Sequence, residues 1–191
     1  MTKEGKIIII SGPSGVGKKT IIDQVINDKN LNLFYSVSVT TRTPRIHERN
    51  GIDYFFVTET EFQKMIDNNE LLEWAEFATN KYGTPLKNLF KMTQEGKNVI
   101  LEIEVQGATN VKKILNKNKF ISIFIIPPSI AELKRRLKLR DTETDDKIEQ
   151  RIKRAEKEML LKNEYDYVIL NDDATLAAEK LREYLIKNLN K

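Results

Sequence analysis

The sequence contains no cysteine and a single histidine, His47, among its 191 residues. Disulfides, thiolate metal sites, a cysteine nucleophile and any metal site built on several histidines are thereby excluded. A Ser-His-Asp arrangement has only His47 to build on. That residue lies in the polar stretch from Arg45 to Asn50 with no partner pattern nearby, so it reads as a surface residue. Long apolar runs are missing too. The longest, Ile7 to Ile10 and Phe120 to Ile126, fall far short of the ~20 residues that span a membrane. The residues before Ile7 are too few and too polar for a signal peptide. Nor is there an excess of one charge: Lys plus Arg number 32 and Asp plus Glu 28, interspersed along the chain, for a net charge of +4. A nucleic-acid binder would show a concentrated basic stripe. The expectation is a cytoplasmic protein with neither a nucleic-acid nor a membrane partner.

What is present suits one folded domain. Hydrophobic residues make up 40% of the chain, enough for a core, and charged residues 31%. Lys6 to Ser11, Val99 to Glu104, Phe120 to Ile126 and Tyr167 to Leu170 are β-rich and almost continuously apolar, as strands buried on both faces of a parallel sheet are. Helical patterns lie between them. Thr58 with Glu61, and Ser129 with Glu132, have the offset of capping boxes, in which side chain and backbone satisfy each other's orphan donors. An α/β fold with helices on both faces of a parallel sheet follows. Two excursions interrupt it. Ser36 to Pro85 is a polar, aromatic-rich insert punctuated by Pro44, Gly51, Gly83 and Pro85. Arg135 to Arg154 is highly charged with few apolar anchors, and is predicted to project from the core and move.

The strongest local signal is Ser11-Gly12-Pro13-Ser14-Gly15-Val16-Gly17-Lys18-Lys19-Thr20. Gly12, four intervening residues and then Gly17-Lys18 is the spacing of a phosphate-binding loop. Its glycines let successive N–H groups turn inward toward phosphate oxygens, the following helix adds its positive end, and the lysine reaches the β- and γ-phosphates. By chance such a match arises in about 6% of chains this long. The isoleucine strand before it and the helical pattern after it supply the context that the chemistry needs. One position departs from the pattern. A Ser or Thr hydroxyl commonly helps hold Mg²⁺ after the lysine, but Lys19 stands there and Thr20 follows. Either Thr20 compensates, or water and other groups hold the metal.

Further motifs follow in order: Ser36-Val37-Ser38-Val39-Thr40-Thr41-Arg42-Thr43-Pro44-Arg45, Gly51-Ile52-Asp53-Tyr54-Phe55-Phe56, Leu72-Glu73-Trp74 and Tyr82-Gly83-Thr84. Leu101-Glu102-Ile103-Glu104-Val105-Gln106-Gly107, Pro127-Pro128-Ser129, Arg140-Asp141-Thr142-Glu143-Thr144 and Asn171-Asp172 complete the set. Over nearly the whole chain this resembles guanylate kinase. The resemblance implies a three-layer P-loop NTPase core (1–35, 86–128 and 158–191), a GMP-binding insert (36–85) and a mobile helical lid (129–157). It implies direct in-line phosphorylation of GMP by ATP with Mg²⁺, and dGMP as a candidate second acceptor.

The same resemblance gives the residues their roles. ATP is expected on Gly12, Pro13, Ser14, Gly15, Val16, Gly17, Lys18, Lys19, Thr20 and Asn171. GMP is expected on Ser38, Arg42, Arg45, Tyr54, Glu73, Tyr82, Thr84, Glu102 and Glu104. Lys18, Arg42, Arg136, Arg140 and Arg151 are the candidates for stabilising the migrating charge. Chemistry agrees at several of them. Guanine offers N1–H and a 2-amino group as adjacent donors that one carboxylate, Glu73, can accept. Its O6 wants a donor, which Ser38 or Thr84 supplies. Arg42 and Arg45 can converge on one phosphate as planar forks. Glu102 and Glu104, read as one face of a strand end, suit Mg²⁺-bound water and GMP, or else an ion pair with Lys18 or a neighbour. Thr20 or Glu102 is the candidate protein group near the metal. Arg154 reads as part of a solvated helix face and Trp74 as core, and Asp141 stands where the family usually has glycine. A phosphopeptide-binding guanylate-kinase-like module and a P-loop kinase for another nucleoside monophosphate are the competing readings. The intact phosphate loop weighs against the first, and Glu73, Tyr82 and Thr84 against the second.

Overall fold

The computed structural model describes residues 3–77, 79–139 and 144–189. Among these, a five-stranded parallel sheet runs in the order β2-β7-β1-β8-β9. Its strands are β1 (Ile7–Ser11), β2 (Leu33–Tyr35), β7 (Asn98–Glu102), β8 (Phe120–Ile126) and β9 (Tyr167–Leu170). All four apolar runs are therefore strands, and β8 and β9 have the expected ends. Alternation divides each strand between two cores. Ile8 and Ile10 join Ile123, Ile125 and Ile169 beneath α1 (Lys18–Val25) and α7 (Ala174–Leu189). Ile7 and Ile9 join Val99, Leu101 and Phe124 against α3 (Leu89–Gln94) and α4 (Val105–Ile114). Helices thus cover both faces, because neither face of the sheet has a polar register to offer water.

The insert builds a second sheet in the order β4-β3-β6-β5. It comprises β3 (Val39–Thr40), β4 (Phe55–Phe56), β5 (Leu71–Phe77) and β6 (Asn80–Pro85), with α2 (Glu59–Asp67) between β4 and β5. The Thr58–Glu61 capping box is formed in full at the start of α2. Leu72 ties this sheet into the core under α3 and α4. Trp74 corrects an expectation. It is 42% exposed and meets Phe62 edge to face, while the smaller Phe62 of α2 takes the buried position. Alternation along β5 explains this: Glu73 and Ala75 turn into the cleft described below, and Trp74 turns away from it.

The charged segment also differs from its reading. It forms α5 (Ile130–Lys138) and α6 (Asp145–Met159), which do not stand off from the core. Leu133 and Leu137 on α5, and Ile148, Ile152 and Ala155 on α6, are buried in the core cluster that contains Ile8 and Ile10. Few anchors suffice because they recur at three- and four-residue intervals and fall on one helix face. Ser129 caps α5 by accepting from the Glu132 N–H, but the Glu132 carboxylate turns to Arg135 and Arg136 instead of back to the cap. Only half of that capping box forms. Among the described residues no helix is long and apolar enough to cross a membrane.

Candidate active site

The carboxyl ends of β1 and β7 open into a cleft of about 280 Å³ whose far wall is the second sheet. At one end lies the glycine loop. Gly12, Gly15 and Gly17 all have positive φ, at 142°, 88° and 95°. A side chain at Gly17 would stand 2.5 Å from the Asn171 amide, and one at Gly15 would strike Leu137 of α5 at 2.7 Å. The loop is thus held tightly from behind and from above. Gly17 caps α1 without any side-chain hydrogen bond, and no acidic residue sits in the first turn. The N–H groups at that helix end and its positive dipole are therefore left for an anion. The Lys18 ammonium donates to the carbonyls of Gly12 (2.8 Å) and Pro13 (3.2 Å), which keeps it on the loop. Asn171 is buried behind the loop and donates to the Val16 carbonyl at 2.6 Å. Val16 is itself buried in the core, whereas Ser14, Lys19 and Thr20 line the cleft. Lys19 pairs with Asp23 one turn on, and its ammonium lies 5.2 Å from the centre of the Tyr35 ring.

The other end is acidic and aromatic. Glu73 on β5 is 7% exposed and accepts from the Thr84 hydroxyl of the facing strand β6 at 2.8 Å. Burial pushes its carboxyl up to about 7, although the Thr84 hydrogen bond opposes the shift. Gly107 at the start of α4 is needed there, since any Cβ would lie 2.6 Å from Glu73 Oε2. Ser38 lines the same space. Between the two ends, Arg42 lies over the rings of Tyr54 and Phe56, and Tyr54 meets Tyr82 edge to face at 6.0 Å. Burial drives the Tyr54 hydroxyl far above its ordinary range, so it remains a neutral donor.

Arg42 and Arg45 both approach Glu48, a residue that the sequence reading passed over. Glu48 takes two hydrogen bonds of 2.9 Å from the Arg42 guanidinium and lies 3.6 Å from Arg45. Burial alone would raise its pKa, but the hydrogen bonds from Arg42 and the Arg45 N–H outweigh that and hold it below the ordinary carboxylate range. The signal was available in the spacing, with arginines at 42 and 45 and an acid at 48.

The two strand-end acids need a correction. β7 ends at Glu102, and Glu104 is the N-cap of α4, so one strand face does not carry both. Both still line the cleft. Glu102 accepts from the Tyr35 hydroxyl at 2.9 Å, and Glu104 from Arg154 at 2.7 Å. Arg154 is therefore not a solvated helix residue. Arg151, one turn earlier, donates to the Ser14 hydroxyl at 2.9 Å. Arg136 is held by Glu132 at 2.8 Å and reaches the rim of the loop through the Val16 and Asp172 carbonyls, at 3.5 and 3.4 Å. Arg140 and Asp141 lie outside the described residues. His47 is exposed, as expected.

A sheet of this strand order, with a glycine loop between its central strand and a helix and a second pocket across the cleft, defines a P-loop kinase that transfers phosphoryl groups to small acceptors. The comparisons narrow the class. A family model described as guanylate kinase matches residues 4–188. The guanylate kinase of Malacoplasma penetrans is 71% identical over 187 residues, covering 98% of this chain and 95% of the relative. That of Bacillus subtilis is 47% identical over 186 residues, covering 97% and 90%. A crystal structure of guanylate kinase from Anaplasma phagocytophilum superposes with a TM-score of 0.81 at 35% identity, covering 100% of this chain and 89% of that one. The chain belongs to the guanylate kinase family.

Proposed function

We propose a division of labour along the cleft for the reaction of this family, ATP-dependent phosphorylation of GMP to GDP. The chain catalyses that reaction. ATP lies at the loop end, where the backbone N–H groups of Gly15, Gly17, Lys18, Lys19 and Thr20 face its phosphates and Lys18 meets the phosphoryl group in transit. Asn171 serves ATP indirectly, by bracing Val16. GMP lies across the second sheet, in residues 36–85. Glu73 accepts from guanine N1–H and the 2-amino group, and the Thr84 and Ser38 hydroxyls face O6. Arg42, Arg45, Tyr54 and Tyr82 take the GMP phosphate. The transferred group moves in line between the two nucleotides, so no protein nucleophile is needed. Arg136, Arg151 and Arg140 of the lid, 129–157, spread positive charge over its equatorial oxygens as the leaving bond stretches.

The donor set suits a Mg²⁺ ion that arrives with ATP. Among the described residues no cluster of three or more His, Asp or Glu forms a protein cage. Mg²⁺ characteristically keeps waters and takes one or two protein groups besides nucleotide phosphates. Thr20 and Glu102 line the cleft and are the groups that would hold it. The ion would neutralise charge on the phosphates.

The observation that carries this reading is the buried Glu73, held by Thr84, lining the same cleft as the glycine loop. A coupled assay of ADP release with GMP, dGMP, AMP, UMP and CMP tests it. Preference for guanine nucleotides by orders of magnitude supports the assignment. Comparable rates with AMP would remove Glu73 from base recognition.

A further inference from the structure

Helix α6 places two arginines three residues apart on one face, and they reach opposite ends of the cleft. Arg151 bonds to Ser14 in the phosphate loop, and Arg154 bonds to Glu104 beside the acceptor pocket. The second contact is the unusual one. The Arg154 guanidinium bridges two carboxylates, giving NH2 to Glu104 at 2.7 Å and Nε to Glu158 at 2.8 Å. The side chains of Glu104 and Glu158 are only 21% and 11% exposed. Both carboxylates line the cleft, as does Glu73, whose Oε2 packs against Gly107 in the first turn of the helix that Glu104 caps. Three acids therefore crowd one end of the pocket. Arg154 is the cation whose hydrogen bonds join two of them. It uses only one oxygen of Glu104. The other, Oε1, is buried and has no hydrogen-bond partner among the described residues. A buried acceptor of that kind is costly unless a ligand completes it.

We propose that Arg154 is a positioning residue for the acceptor nucleotide: it reaches from the lid helix to fix Glu104 by one oxygen, leaving Oε1 to accept from a donor on the guanosine moiety. Guanosine has donors to spare. Glu73 can take N1–H and one hydrogen of the 2-amino group, which leaves the second amino hydrogen and the ribose hydroxyls. The arrangement links the lid to acceptor binding, since moving α6 away withdraws Arg154 and releases Glu104. It deepens the assignment of Glu104 to the GMP end of the cleft and rests on that reading.

The test is steady-state kinetics of Arg154→Ala, Arg154→Lys, Glu104→Gln and the Arg154→Ala/Glu104→Gln double variant, with GMP and ATP varied in turn. A hydrogen bond to a charged group predicts that Arg154→Ala raises the GMP KM about tenfold. The ATP KM should move by less than about twofold and kcat by less than about threefold, as expected for lost ground-state binding. Lysine keeps the charge but lacks the planar fork whose Nε and NH2 meet the two carboxylates separately, so Arg154→Lys should recover part of the loss. In the Glu104→Gln background, removing Arg154 should add little, because the two act as one unit. A lowered melting temperature with an unchanged GMP KM in both Arg154 variants would make the bridge purely structural and overturn the proposal. So would fully additive effects in the double variant. If Glu104→Gln itself leaves the GMP KM unchanged, the assignment of Glu104 fails first and the proposal falls with it. That result differs from one in which Glu104 matters and Arg154 does not.

Discussion

At Glu73 a carboxylate is buried against one neutral partner, the Thr84 hydroxyl, and its pKa is pushed up to about 7 from an ordinary 4.5. The folded protein therefore holds that proton more tightly than the unfolded chain. Stability from this group is fully present below about pH 4.5 and is lost as pH rises toward about 7. Glu73→Gln removes the buried charge, so it should stabilise the protein at pH 8 by about 2–3 kcal/mol and change little at pH 4.5. Thermal unfolding at the two pH values checks this, and the absence of any gain at pH 8 contradicts it. Activity follows the opposite preference. Guanine offers donors, so under the proposed assignment it requires the charged carboxylate, and kcat/KM for GMP should fall as pH drops below about 7. At Glu48 the carboxylate holds two arginines that would otherwise repel, so Glu48→Gln should raise the GMP KM about fivefold with kcat nearly unchanged. A lowered KM would show instead that Glu48 competes with the GMP phosphate. Lys19 is turned to Asp23 and Tyr35, so Lys19→Ser should alter the Mg²⁺ dependence of the rate little. A large fall in the Mg²⁺ concentration for half-maximal rate would show that the lysine impairs metal use.

Among the elements, α5 and α6 carry the most consequence. Leu137 lies on Gly15, so the helix that brings Arg136 to the rim also packs on the loop backbone. Arg136→Ala should lower kcat at least about tenfold and leave the GMP KM within about threefold, because in the proposed role the guanidinium acts as charge develops. Small-angle scattering should show compaction when GMP and a non-hydrolysable ATP analogue are both present. A raised GMP KM with unchanged kcat would reassign Arg136 to acceptor binding. These helices also mark where sequence reading loses its grip. β8 was legible because both of its faces are buried, which leaves a continuous apolar run. In α5 and α6 a narrow apolar stripe is outnumbered by charges, so burial of Ile148 and Ile152 was hidden by composition. The strand-end acids failed differently. Alternation extrapolates a strand past its last residue, and nothing in Glu102-Ile103-Glu104 announces that the chain leaves the sheet before Glu104 caps α4. The contacts of Arg154 with Glu104, and of Tyr35 with Glu102, span 50 and 67 residues, beyond any local pattern. The phosphate loop was legible because its function is written in consecutive residues.

Over the whole molecule, two sheets divide the work. The parallel sheet places the glycine loop, Glu102 and the start of α4 at one edge of a cleft. The smaller sheet lines the other side with Glu73, held by Thr84, and Tyr82, beside Ser38 just ahead of β3. The central claim is that one buried carboxylate reads guanine while a separate loop holds ATP. Its most direct test is kcat/KM for GMP in the wild type and in Glu73→Gln, with ATP affinity measured separately. Glutamine keeps the size but turns one acceptor into a donor facing a guanine donor. The account predicts a loss of at least about a hundredfold in kcat/KM for GMP, two steps of ~1.4 kcal/mol, with ATP binding unchanged. A Glu73→Gln variant that phosphorylates GMP as the wild type does would contradict it.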